Sequence, residues 1–391
     1  MRNNISVVNK EKCYGCYACY NKCSQNAIDM VEDTEGFVYP EVNEKRCVDC
    51  QICLKVCPSI RIPGVNTKKE TYACYAKNEE EHKSSSSGGF FAVLAEAILE
   101  EKGNVFGAVF NEKIEVEHVK IQDIKDMYKV KGTKYVQSYI GKTYIEVKRA
   151  LEKGEEVLFS GTPCQVAGLK NFLDKKYDNL VCLDLICHGV PSPGVWRRYL
   201  EEKFGKDNVK TMQFRNKEKG ISDVTLEYRL KNDTIIFESY LESPYIKGFI
   251  NNYYTRQSCF NCGFKGFDRC SDITIGDFWS VREFYPQMEN KYGVSAIIVH
   301  SEKGSIWLEK IRNRLIICKA KPEELAVWND SLLKSAKRTP ARAEFYQEWN
   351  TDKIEKIILK INKDKVVKRK YEFGEDTIRN RIVKKVKKWL V

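Results

Sequence analysis

Two runs of cysteine with the same spacing constrain this chain more than anything else in it. They are Cys13-x2-Cys16-x2-Cys19-x3-Cys23 and Cys47-x2-Cys50-x2-Cys53-x3-Cys57-Pro58. Such spacing puts three sulfurs on one tight loop and sends the fourth away. It suits a pair of cubane clusters, in which the last cysteine of each run reaches across to the other cluster. The reading assigns Cys13, Cys16, Cys19 and Cys57 to one 4Fe-4S cluster, and Cys47, Cys50, Cys53 and Cys23 to a second. Iron–sulfide cores want soft, charge-donating ligands, and thiolates supply them. A zinc ion is satisfied by four cysteines and has no use for a doubled, crossed arrangement.

Disulfides are the other reading of many cysteines. The chain has 391 residues and 16 cysteines. A chain of this length needs no covalent staples to fold. Residues Met1 to Lys12 show no apolar core and no small-residue cleavage site, so no secretory signal is expected. No apolar stretch approaches the length of a spanning helix. The expectation is a soluble, cytoplasmic, reduced protein. Between the two runs, Ala27 to Met30, the turn Glu35-Gly36 and Phe37 to Tyr39 read as a short β-hairpin. This first segment resembles bacterial two-cluster ferredoxins, with Ser24 standing where proline usually follows a run. The resemblance implies one-electron transfer.

The remainder alternates strand-like and helix-like patterns, which predicts an α/β unit with a mixed sheet. Strands are expected at Val105 to Phe110, Glu156 to Ser160, Val181 to Ile186, Thr225 to Leu230, Thr234 to Phe237, Ile273 to Gly276 and Ala296 to His300. Helices are expected at Ser87 to Glu101, Lys142 to Lys153, Cys164 to Leu173 and Pro193 to Phe204. The whole reads as a mixed-sheet α/β flavin-type domain with a small N-terminal α+β two-cluster ferredoxin domain and a helical C-terminal tail. The boundaries are 1–60 for the ferredoxin domain, 61–71 for a linker, 72–339 for the α/β domain and 340–391 for a basic extension.

Net charge is +12. From Thr351 onward, 14 Lys and Arg face 6 Asp and Glu, or +8, so most of the excess sits on the tail. No base-reading motif accompanies it, and nucleic-acid binding is not expected. Ile378, Ile382, Val386 and Trp389 recur at helical spacing there. They suit a helix docking on its own protein or, through its basic face, peripheral contact with an acidic surface or membrane.

Three motifs carry further chemistry. Ser84-Ser85-Ser86-Ser87-Gly88-Gly89 opens a predicted helix, and hydroxyls beside a glycine pair at a helix start suit a pyrophosphate; a simple cap after a flexible stretch reads equally well. Gly161-Thr162-Pro163-Cys164 lies between a strand end and a helix start, where open α/β sheets bind ligands. Cys187-His188-Gly189 again follows a strand. With Cys259-x2-Cys262, the cysteines Cys164 and Cys187 offer a four-thiolate set from three loops, and Cys270 is a fifth candidate. Cys74, Cys182 and Cys318 lie in apolar runs and read as buried free thiols.

Taken together, these motifs resemble the β-subunit family of coenzyme F420 hydrogenases and dehydrogenases. The matching stretches are Ser85 to Gly89, Gly132 to Ser138, Gly161 to Leu169, Cys187 to Pro193 and Asp272 to Trp279. Departures fall at Thr133, Cys270 and Ser280. The resemblance implies FAD and a third 4Fe-4S cluster on Cys164, Cys187, Cys259 and Cys262. It implies that Ser86, Ser87, Gly88, Gly89, Lys134, Gly161, Thr162 and Pro163 lie along the flavin. Lys134 and His188 are the candidates for a catalytic role. Clusters carry single electrons and a flavin carries one or two. The expected activity is therefore an oxidoreductase linking ferredoxin-type clusters to coenzyme F420 or another small two-electron substrate. The expected partner is a ferredoxin or other redox protein. Alternatives are an electron-transfer subunit whose partner chain does the catalysis, and a ferredoxin-dependent reductase of a cell-surface saccharide precursor.

Overall fold

The computed structural model describes residues 3–363. The helical pattern through Ile378 to Trp389 lies outside the described residues. Strands are numbered in chain order. β1 (Ile28–Glu32) and β2 (Val38–Val42) form the expected antiparallel hairpin.

The large sheet has eight strands: β3 (Glu70–Ala76), β4 (Asn104–Phe110), β5 (Val116–Ile121), β6 (Val157–Ser160), β7 (Leu180–Leu185), β11 (Ile273–Asp277), β12 (Ser295–Val299) and β13 (Leu315–Ala320). Their spatial order is β13-β3-β12-β11-β7-β6-β4-β5. The centre, β11-β7-β6-β4, is parallel, and every other pairing is antiparallel. The sheet is mixed, as the alternation of patterns predicts.

The parallel strands read as nearly continuous apolar runs because both faces are covered. Val105, Leu158, Val181 and Leu183 pack on one side with the helices Phe90–Glu100 and Glu302–Ile311. Their neighbours Phe106, Phe159 and Cys182 point the other way, toward the helices Thr143–Glu152 and Pro163–Leu173. Cys16, Tyr17, Ala18 and Val56 of the N-terminal segment join this second cluster, so that segment packs on the helical layer.

A three-stranded sheet of β8 (Val209–Asn216), β9 (Thr225–Leu230) and β10 (Ile235–Ser239) shares an aromatic core with the helix Pro193–Phe204. The helices Pro340–Glu348 and Ile354–Lys363 close that core through Phe345, Ile354, Ile357 and Ile358. Among the described residues no helix is long and apolar enough to cross a membrane.

Candidate functional site

The two N-terminal cysteine runs fold alike. In the first, Gly15 and Tyr17 take left-handed conformations before the helix Ala18–Lys22; in the second, Asp49 and Gln51 do the same before Ile52–Lys55. Each pair lies two and four residues past the first cysteine of its run. The equal spacing thus becomes equal backbone.

Cys13, Cys16, Cys19 and Cys57 are buried; Cys19 has the other three among its electrostatic neighbours, and Cys16 has Cys57 and Cys13. Cys23, Cys47, Cys50 and Cys53 line a separate cavity, with Cys50 exposed. The runs are therefore crossed: each places its fourth cysteine with the other run. Donors already face these sulfurs. The Ala27 N–H points to Cys23 Sγ at 3.3 Å and the Asn4 amide to Cys47 Sγ at 3.8 Å.

A third set gathers at the carboxyl ends of the parallel strands. Cys164 follows β6 at the start of the helix Pro163–Leu173, where Thr162 caps the helix and closes a reciprocal capping box with Gln165. The Thr162 hydroxyl lies 3.2 Å from Cys164 Sγ. Cys187 follows β7; Cys259 lies within the short 3-10 turn Gln257–Asn261, and Cys262 follows it. The leading charged neighbours of Cys164 are Cys262, Cys187 and Cys259.

Cys270 lies elsewhere. Its thiol sits beside Lys170, Asp184 and Arg269, and Lys170 caps its carbonyl. Cys74 and Cys182 are buried in β3 and β7, and Cys318 is half-buried in β13.

Burial pushes the Cys16 and Cys259 thiols up to about 12, and the crowded sulfurs add to it. Thiols held so far up are not nucleophiles at neutral pH. Among the described residues no group of three or more His, Cys, Asp or Glu is drawn tightly enough for a single metal ion. Four cysteines around one zinc would sit within about 2.3 Å of a common point. A four-iron core takes four thiolates, so these donor sets suit clusters in both number and chemistry.

The first and third sets adjoin. Gly168 lies one helical turn beyond Cys164, and a Cβ there would come within 2.9 Å of Cys16 Sγ. Tyr14, inside the first cysteine loop, accepts the Gly263 N–H at 3.3 Å and packs edge-on against Phe264 at 5.1 Å.

Beside the third set opens a pocket of about 450 Å3, at the carboxyl ends of the parallel strands. Ser86, Ser87, Gly89, Lys134, Gly161 and Thr162 line it, as do Cys187 and His188. Gly88 and Pro163 do not. The Gly88 N–H bonds the Ser295 hydroxyl at 2.9 Å, and a Cβ would meet the Cys74 carbonyl at 2.3 Å. This glycine lets the helix entry press against β3 and β12. Pro163 is the first residue of its helix.

Lys134 spends its three N–H donors on the carbonyls of Lys129, Lys131 and Gly132 at 2.8–3.1 Å, and burial pulls it down to about 7. His188 is pinned, with Nε2 2.9 Å from Asn252 Oδ1 and Nδ1 3.4 Å from Ser331 Oγ. That placement suits a structural histidine.

Two pocket residues, His118 and Arg215, fall in none of the sequence motifs, and a third, Asp277, falls in the stretch Asp272 to Trp279. His118, on β5, gives Nε2–H to the Ser160 carbonyl at 2.9 Å, leaving Nδ1 as a buried acceptor without a partner. Burial pulls its imidazole down to about 4, so the ring is neutral. Arg215 and Asp277 form an ion pair at 2.7 Å on the pocket wall. Only long-range pairing brings His118 and Arg215 here, and nothing local in the sequence marks them.

Residues 154–324 match the family model for the C terminus of the coenzyme F420 hydrogenase/dehydrogenase beta subunit. Residues 12–60 match a 4Fe-4S dicluster domain. The chain is similar to an uncharacterized ferredoxin of Methanocaldococcus jannaschii, at 33% identity over 66 residues, which are 16% of this chain and 84% of that protein. Among solved structures it is similar to a chain of the xenon-derivatized F420-reducing NiFe hydrogenase complex from Methanosarcina barkeri. That match has 16% identity and a TM-score of 0.45, over 77% of this chain and 91% of the other.

Proposed function

We propose, for a chain that belongs to the coenzyme F420 hydrogenase/dehydrogenase beta subunit family and carries an N-terminal 4Fe-4S dicluster domain, that it is a three-cluster flavoprotein passing electrons between a redox partner and a small two-electron substrate. Iron–sulfur oxidoreductase is the statement the family carries; the third cluster, the FAD and the substrate go beyond it. Within this reading the ferredoxin domain is 1–60, the linker 61–71, the flavin domain 72–339 and the extension 340–391.

The observation that carries the reading is the double position of Cys187. It belongs to the third sulfur set and also lines the 450 Å3 pocket, so a group bound there lies against the loop that would hold iron. The order of sites follows. Cys50, exposed, marks where a redox partner exchanges electrons with the second set. The first set lies next along the segment. Cys16 against Gly168 brings it to the third set, and Cys187 brings that to the pocket.

An FAD bound in the pocket would supply the change between one-electron and two-electron transfer. Its fit rests on the unpartnered His118 Nδ1, which would accept a hydrogen bond from the ligand, and on the Ser86 hydroxyl, whose oxygen accepts the Thr133 N–H and whose proton is left to donate. Lys134 has no donor left to give. Below pH about 7 its charge adds a positive potential along the wall, favourable to phosphate. Asp277 holds Arg215 in place at the pocket's far side, beside Trp279.

Anaerobically purified protein should carry about 12 iron atoms, four for each of three clusters, and should release FAD on denaturation. Coenzyme F420, whose name the family bears, is the first substrate to assay. Protein that is fully loaded with iron but neither releases nor binds FAD would leave a pure electron-transfer subunit.

A further inference from the structure

We infer that Arg256 is a buried positioning charge shared by the first and third sulfur sets, and that it raises the reduction potential of the cluster held by Cys13, Cys16, Cys19 and Cys57. The inference rests on the cluster assignments above and adds a residue to them that belongs to neither set of ligands.

Arg256 is fully buried. Its backbone belongs to the third set. Its N–H donates to the Val190 carbonyl at 3.0 Å, on the loop after Cys187, and its carbonyl accepts the Cys259 N–H at 3.0 Å. Its side chain belongs to the first set. Nε donates to the Cys13 carbonyl at 2.8 Å, and Nη2 reaches the Val38 carbonyl at 3.0 Å and Cys13 Sγ at 3.8 Å. Nη1 donates to Gln137 Oε1 at 2.9 Å. The guanidinium lies over the Tyr39 ring at 4.2 Å.

Gly15 makes room for it. A Cβ there would come within 2.8 Å of the guanidinium carbon.

What this arginine lacks is a carboxylate. The other buried arginines have one: Arg215 has Asp277, Arg269 has Asp184, and Arg342 has Glu35. Among the described residues Arg256 makes no ion pair with Asp or Glu. A buried guanidinium with neutral neighbours is strongly unfavourable. The groups beside it that become negative on binding iron are the sulfurs, with Cys13 on one side and Cys259 on the other.

Reducing a thiolate-bound cluster adds one electron and one negative charge. A fixed cation within the low-dielectric interior stabilises that added charge and so favours the reduced form. Arg256 gains and loses no proton in the step; it sets how easily the electron stays.

The test uses full-length anaerobic protein, with iron content and a dithionite redox titration followed by EPR. Arg256→Gln should keep its iron and lower the midpoint of one cluster. The cluster on Cys23, Cys47, Cys50 and Cys53 should stay unchanged. Arg256→Lys keeps the charge and should titrate as wild type. Unshifted midpoints in iron-replete Arg256→Gln would overturn the inference, and so would a lowered midpoint in iron-replete Arg256→Lys. Iron lost from Arg256→Gln but kept in Arg256→Lys supports it; iron lost from both assigns Arg256 to packing alone. Failure of the underlying assignment shows separately, as wild-type protein without 4Fe-4S signals.

Discussion

At His118 the ring nitrogen Nδ1 is an acceptor with nothing to accept from, in a wall otherwise well bonded. An unmet buried acceptor costs about 1–3 kcal/mol, so a ligand that donates there recovers that amount. His118→Phe keeps a flat ring on Phe159 and should weaken FAD binding roughly 10-fold, read as the dissociation constant for added FAD in fluorescence titration. Lys134 gives a pH dependence of definite sign. Burial holds it near 7, so its charge is present below that pH and lost above it. FAD affinity should therefore fall as pH rises from 6 to 8, and Lys134→Met should bind weakly at both ends without the slope. A slope that persists in the variant would move its source elsewhere. Gly88 carries a different expectation. With the Cys74 carbonyl 2.3 Å from any added Cβ, Gly88→Ala should destabilise the fold by at least about 2 kcal/mol in denaturant titration. The loss would come from strand packing, with no direct part for the phosphate.

Among the elements, the helix Pro163–Leu173 does the most positioning, and it was legible. Pro163 at its first turn, Thr162 before it and Gln165 three residues on from Thr162 are local signals for a helix start. Thr162→Ala should cost about 1 kcal/mol and remove the hydroxyl beside Cys164, so a chelator should strip one cluster's worth of iron faster than from wild type. Equal stripping rates would separate the cap from the cluster. The parallel strands β6 and β7 were legible for the same reason: burial on both faces leaves continuous apolar runs. The apolar runs around Cys74 and Cys318 likewise mark β3 and β13, whereas the edge strand β5 was not legible. In β5, Glu117 and Lys120 alternate with Val116, His118 and Val119 in a pattern too mixed to separate strand from loop. His118 was missed with it. The cysteine sets, by contrast, announce themselves through local spacing. Arg256 acquires meaning only through a contact 243 residues away, with Cys13.

Across the molecule, the N-terminal segment is tied to the far end of the chain. The hairpin turn at Gly36 presses on Gly194 so closely that a Cβ would approach its Cα to 2.6 Å. Glu35, beside it, holds Arg342 in a buried ion pair. Arg342→Met should leave the carboxylate buried and unmatched, costing about 3–5 kcal/mol in urea unfolding, while the double variant with Glu35→Leu should recover much of that. A double variant no better than the single would mean that packing, and not charge, holds the two ends. The seat of Arg256 under the Cys13–Cys16 loop has a consequence for timing. During synthesis the first cysteine loop is complete long before residue 256 exists, yet its wall is unfinished until that guanidinium is in place. Maturation is thereby given an order. The site beside exposed Cys50 can be loaded from outside at any stage, whereas the site beside Cys13 must be filled before the chain closes over it. Reconstituting folded apoprotein with iron and sulfide should accordingly fill the Cys50 site first, with mild denaturant needed to admit iron at Cys13. Equal filling of both without denaturant would show that the closure breathes.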